Sequence, residues 1–254
     1  MTNALSADAP GSRRAGVTLT QSVVFLVGFV ALVTMAFMAH SLPYFPGDIT
    51  ISHAVQTYRS DWLDAVFAAA SWTGFPPQSD VLFGVVVILL FVFVSRVAAV
   101  MEAIAAIGSG GLYLLVEQLV RQPRPSADIV QVAGPIELTG FPSGHLATFT
   151  AVFGFLAYLA YRRLRPSTSR WLPVGLVIVA LAVMSIARIY SGQHWASDVI
   201  AGCLLGALWL TIVIQLSHLV QGRMAPRSSV GAAGPNAGPP PRDVFHPKSR
   251  TTGD

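Results

Sequence analysis

Residues 142–165 read Pro-Ser-Gly-His-Leu-Ala-Thr-Phe-Thr-Ala-Val-Phe-Gly-Phe-Leu-Ala-Tyr-Leu-Ala-Tyr-Arg-Arg-Leu-Arg. A polar turn opens this stretch, an apolar run long enough to cross a membrane follows, and arginines close it. A hydrocarbon core of about 30 Å needs about 20 helical residues. On that measure the sequence predicts an all-α, integral-membrane bundle of six transmembrane helices at 18–40, 80–97, 99–119, 143–161, 171–190 and 195–219. The apolar stretch 62–73, set among prolines and acids in the segment 41–79, reads as a short interfacial or buried helix.

Composition agrees. Of 254 residues, 53% are hydrophobic and 11% charged, where a soluble domain carries about 25% charged residues. The net charge of +4 is spread over short segments between apolar runs, so nucleic acid is not an expected partner. Cys203 is the single cysteine, which excludes an intrachain disulfide. Residues 1–16 are polar, and the run after them is too long for the apolar part of a signal peptide.

Basic residues set the expected orientation. Arg13 and Arg14 precede the first span, Arg162, Arg163, Arg165 and Arg170 lie between the fourth and fifth, and Arg223, Arg227, Arg242, Lys248 and Arg250 follow the sixth. With six spans these all fall on one side, the cytoplasm, together with both termini. Three parts follow: a disordered cytoplasmic tail (1–17), a membrane domain (18–220) and a disordered basic cytoplasmic tail (221–254), which is poor in large apolar residues.

Three polar groups interrupt the apolar pattern, all on the opposite, extracytoplasmic side. Arg124 precedes Pro125; an arginine fork fits phosphate oxygens in pairs. Pro142-Ser143-Gly144-His145 opens a helix, where free N–H groups attract anions. There Ser143 is expected to cap the helix or donate to a phosphate, and Gly144 to let backbone approach it. Arg188, His194 and Asp198 form the third group. The four-residue spacing of His194 and Asp198 puts both on one helix face, so the carboxylate can hold one ring nitrogen and leave the other as nucleophile.

In order, these groups resemble the signature of the type-2 phosphatidic acid phosphatase family: lysine, six residues and Arg-Pro; Pro-Ser-Gly-His; Ser-Arg, five residues, His, three residues and Asp. The resemblance covers about residues 45–215. It implies a lipid phosphate phosphatase, which with the expected orientation acts on lipid phosphates drawn from the outer leaflet; the Ala-, Val- and Arg-rich composition points to a bacterial plasma (inner) membrane. Polyprenyl diphosphate, phosphatidic acid and phosphatidylglycerophosphate all fit such a site. It further implies His194 as the nucleophile that forms a phosphohistidine, His145 as the acid, Asp198 as the group orienting His194, and Arg124 and Arg188 as phosphate ligands, assisted by Ser143 and Gly144. No metal and no cofactor are implied. Related vanadium-dependent haloperoxidases share the motifs but are soluble, which the apolar spans here argue against.

Two positions depart from the signature. Glu117 stands where the family has lysine, and Ala187 where it has serine. Arg121, one turn after Glu117, can replace the lysine while pairing with Glu117; Glu117 can instead recognise a cationic or hydroxylated head group; or the site is impaired. The first reading is preferred, because the other polar residues are intact. A lipid phosphotransferase and a binding protein without turnover stand as alternatives.

Overall fold

Apolar runs become helices where nothing interrupts them, and the interruptions here are specific. The computed structural model describes residues 10–134 and 138–224. Its helices are α1 (Pro10–Ser41), α2 (Asp48–Gln56), α3 (Asp61–Trp72), α4 (Gln78–Phe93), α5 (Arg96–Val120), α6 (Gly144–Arg163), α7 (Leu172–Tyr190) and α8 (Ala196–Met224), with a 3-10 turn at Thr168–Trp171. Among the described residues there is no strand, and the chain is all-helical.

Five of these helices are long and apolar enough to cross a membrane, and α4, at 16 residues, is a shorter apolar one. The expected break between the second and third apolar runs falls at Val94–Ser95, where the Ser95 hydroxyl accepts from the Ala98 N–H at 3.1 Å and so starts α5. Pro166 follows the end of α6, and Pro173 sits in the first turn of α7, each where a missing N–H does least harm. Helix α1 runs back to Pro10 and α8 on to Met224, so both take in residues expected to belong to the tails. Residues 1–9 and 225–254, the remainder of those tails, lie outside the described residues.

Helices α6 and α8 form the centre of the bundle, with α5 against both. Their backbones approach closely at Gly202 and Gly206. A Cβ on Gly202 would lie 2.5 Å from the Ser143 carbonyl oxygen, and one on Gly206 would strike that of Ala147. Small residues are how membrane helices gain close contact. Gly108 likewise admits the Trp209 ring, whose Nε1 donates to the Ile104 carbonyl at 3.1 Å. Gly110 and Gly111 have no neighbour within 4 Å of a built Cβ and line a cavity. Outward faces of α1, α4, α5, α7 and α8 carry exposed large hydrophobics such as Val24, Phe91, Ile107, Ile178 and Leu219. That continuous apolar exterior is what lipid contact requires.

Segment 41–79 is more ordered than the sequence implied. Helix α3 matches the expected stretch, with Trp62, Val66 and Trp72 exposed while it packs on α7. Helix α2 was not foreseen. Its buried residues are Asp48, Ser52 and Gln56, a polar stripe at four-residue spacing. Gln56 donates to the carbonyls of Gln131 (2.7 Å) and Tyr190 (3.0 Å) and accepts from the Gln131 N–H (3.0 Å). His40 and His53 also hold the structure: His40 reaches the Val120 carbonyl at 3.2 Å and His53 that of Ile129 at 2.8 Å.

Candidate active site

The C-terminal ends of α5 and α7 and the N-terminal ends of α6 and α8 meet at one end of the bundle, and the basic turn 162–170 lies at the other. Polar groups gather at the first end. Glu117, Arg124, Gly144, His145, Arg188 and His194 all line one cavity of about 720 Å³. From there the cavity runs down between α4 and α5, past Gly84, Val87, Ile88, Ala103, Ala106, Ile107 and Gly110. One end is charged and the remainder apolar.

Asp198 stands behind His194, fully buried, with its Oδ2 3.4 Å from His194 Nδ1. The same oxygen accepts from the Trp195 N–H at 2.8 Å, which satisfies an otherwise unpaired donor at the start of α8. Helix α8 begins at Ala196, so His194 lies in the turn before it, and the two side chains approach each other without a hydrogen bond. The Ser143 N–H donates to the Asp198 carbonyl at 3.0 Å and ties the two motifs together.

His194 is 2% exposed. Burial holds its imidazole well below the ordinary value of 6.5, and the guanidinium groups of Arg188 and Arg124 push the same way. A neutral ring with one nitrogen facing a carboxylate offers the other as a base or nucleophile. His145 is held differently. Its Nε2 lies 3.2 Å from the Ser71 carbonyl, so that nitrogen carries a proton, and its ring meets Phe75 edge-on at 4.6 Å between centroids. Phe75 also lies beneath Arg188, with 5.1 Å from guanidinium carbon to ring centre.

Arg124 is fixed by acceptors on two loops. Its Nε donates to the Thr139 carbonyl (2.6 Å) and a terminal nitrogen to the Gln193 carbonyl (3.1 Å). The Thr139 hydroxyl donates in turn to Glu117 Oε1 at 2.9 Å. Two buried or half-buried guanidinium groups facing one cavity can hold the oxygens of a dianion.

Two expectations are revised. Arg121 is not brought to the cavity: it ends α5 in the left-handed conformation (φ 54°), is exposed, and turns its Nε back to the Gln118 carbonyl at 2.9 Å. Ser143 starts α6 without a side-chain capping bond, and its hydroxyl is buried away from the cavity lining. Gly144 lines the cavity, and a Cβ there would sit 2.8 Å from the Tyr113 ring, so packing also favours glycine. Ala187, at the departing serine position, is completely buried.

The segment 41–79 adds residues that the sequence did not single out. Asp48, 3% exposed, accepts from the Ser197 N–H (2.9 Å), the Ser197 hydroxyl (2.7 Å) and the Phe45 N–H (2.7 Å). It thereby anchors the first turn of α8 beside Asp198. Gly74 lies so close to His145 that a Cβ would collide with the ring. Among the described residues, no three His, Cys, Asp or Glu side chains converge as metal ligands would.

These features coincide with a known family. The PAP2 superfamily model matches residues 97–221, and the chain belongs to that superfamily. Phosphatidylglycerophosphatase B of Bacillus subtilis (strain 168) is 24% identical over 190 residues, covering 73% of this chain and 90% of that protein. The crystal structure of a transmembrane PAP2-type phosphatidylglycerolphosphate phosphatase from Bacillus subtilis superposes with a TM-score of 0.69 at 21% identity, covering 77% of this chain and 96% of that one. Aquifex aeolicus LpxE gives a TM-score of 0.55 at 22% identity over 65% of this chain and 93% of its own. The two structural likenesses establish a shared fold.

Proposed function

We propose that this protein is an integral-membrane lipid phosphate phosphatase that works through a phosphohistidine. The observation that carries the proposal is the cavity, which joins two arginines and two histidines at one end to an apolar crevice between α4 and α5. A phosphate head group fits the first part and a hydrocarbon chain the second. The names of its relatives point the same way, since both phosphatidylglycerophosphatase B and the Bacillus enzyme act on a lipid phosphate.

In this reading Arg124 and Arg188 hold the phosphate oxygens. His194, neutral and steadied by Asp198, attacks phosphorus in line, and a P–N bond replaces the ester P–O bond. With the bound phosphate dianion offsetting Arg188 and Arg124, His145 enters the step as an imidazolium. It keeps the Nε2 proton on the Ser71 carbonyl and gives the Nδ1 proton to the leaving alkoxide. Neutral His145 then takes a proton from water, whose oxygen attacks phosphorus and releases His194 and inorganic phosphate. These steps use no metal.

Six apolar helices, α1 and α4 through α8, cross the bilayer in this proposal, and residues 18–220 form the membrane domain. The arginines of the 162–170 turn keep that end in the cytoplasm of a bacterial plasma membrane. The site then faces the outside, with both termini inside and substrate arriving laterally from the outer leaflet.

Phosphate release by the detergent-purified protein, measured over lipid mono- and diphosphates with and without EDTA, tests the proposal. Release that survives EDTA and falls by on the order of 10⁴-fold in His194→Ala is the expected result. Full activity in His194→Ala would refute the phosphohistidine, and loss of activity in EDTA would refute metal independence. A wild-type protein that binds lipid phosphate without releasing it would assign a binding role instead.

A further inference from the structure

We infer that Glu117 selects the substrate, favouring a phosphomonoester whose alcohol carries an ammonium or hydroxyl group near the ester oxygen and disfavouring a diphosphate. The inference rests on the phosphatase reading above. Its basis is the charge balance of the cavity. Among the described residues, the lining arginines are Arg124 and Arg188, and the lining acids are Glu117 on α5 and Asp80 on α4. With the two guanidinium groups and the His145 imidazolium set against the two carboxylates and one phosphate dianion, the described lining already carries net negative charge. A second phosphoryl group adds further negative charge, and the residue where a lysine would receive it is a carboxylate.

The geometry fixes this arrangement. Thr139 holds both charges: its carbonyl accepts from Arg124 Nε, and its hydroxyl donates to Glu117 Oε1. Thr139 thus stands between the carboxylate and the guanidinium. Arg121, the counter-charge expected from helical spacing, is directed to the Gln118 carbonyl and lies outside the cavity lining. Its absence from the cavity leaves the carboxylate's charge acting on whatever occupies the space beside the phosphate. An ammonium or hydroxyl donor there gains a charge-assisted hydrogen bond, whereas a second phosphate meets like charge. Discrimination by repulsion is as effective as discrimination by attraction.

The test compares kcat/KM for phosphate release from a sphingoid-base 1-phosphate, which bears an ammonium, with that for a polyprenyl diphosphate. Phosphatidic acid, which lacks a donor at that point, is the third substrate. Wild type, Glu117→Gln and Glu117→Lys are compared as full chains in the same detergent. The ratio of amino-phosphate to diphosphate should fall by about tenfold in Glu117→Gln, corresponding to about 1.4 kcal/mol, and further in Glu117→Lys, with phosphatidic acid changing least. If Glu117→Lys fails to fold, Glu117→Gln decides alone, since it keeps the shape and removes the charge. Continued release with an unchanged ratio would overturn the role of Glu117 only. No release of phosphate from any of the three by the wild type would overturn the phosphatase reading and this inference with it.

Discussion

Replacing Asp48 by alanine should loosen the start of α8 and slow the reaction, although Asp48 touches neither histidine in the catalytic proposal. The carboxylate accepts three hydrogen bonds, two of them from Ser197, which is 4% exposed. Without it the Ser197 N–H is stranded where water does not reach, at about 1–3 kcal/mol, and the half-buried Phe45 N–H adds about 1 kcal/mol. The hydroxyl of Ser197 can rotate to another acceptor and adds little. The sum of about 2–4 kcal/mol corresponds to a fall of roughly 5–12 °C in Tm for a chain of this size. Ser197 adjoins Asp198, so the turn that relaxes also carries the group that steadies His194. A displacement of about 1 Å there costs on the order of 10²-fold in kcat. Asp48→Asn should lose nearly as much, because its amide must present an N–H to one of the two backbone donors. Ser197→Ala should cost only about 1 kcal/mol. Thermal unfolding in detergent and phosphate release, measured on the same preparations, give both quantities. If Asp48→Ala and Asp48→Asn unfold within about 2 °C of wild type and keep their kcat, the anchoring role is refuted.

Two further outcomes follow from the site. Because the folded state holds His194 below its ordinary value, the neutral ring is favoured by folding; its contribution to stability is complete above about pH 6.5 and is lost as pH falls through the folded value. The acid limb of kcat/KM assigned to His194 should accordingly lie below about pH 6.5, and a pH–rate profile with that inflection at or above 7 would contradict the assignment. Gly74→Ala should push the His145 ring aside and lower kcat by about tenfold or more, whereas Gly84→Ala, inside α4 with open space around a built Cβ, should not lower Tm.

The positions of the long helices were legible because lipid-facing helices need unbroken apolar runs, and the polar interruptions that bound them are few. The spacing of His194 and Asp198 suggested that they are neighbours, and the turn before α8 brings them to 3.4 Å although His194 precedes the helix. Helix α2 was hidden for a physical reason. Its inward face is Asp48, Ser52 and Gln56, so hydrophobic periodicity reads it inside out, and only the third dimension brings Ser197, Gln131 and Tyr190 to those side chains. Arg121 misled because a one-turn offset assumes that the helix continues, whereas α5 ends at that residue. The Ser71 carbonyl and the Gly74 contact with His145 leave no trace in sequence, since backbone acceptors and close approaches carry no residue signature of their own.

The short helix beside the crevice bears on the lipid as much as on the protein. At 1.5 Å per residue, the 16 residues of α4 rise about 24 Å, against a hydrocarbon thickness of about 30 Å. If α4 crosses the bilayer as in the six-span proposal, the membrane at this flank dimples by several ångströms, at a fraction of a kcal/mol per ångström. The dimple forms where the crevice between α4 and α5 opens. On the proposed function, a head group drifting into that dimple sits deeper than its neighbours, which makes membrane thickness a setting on how readily the protein is fed.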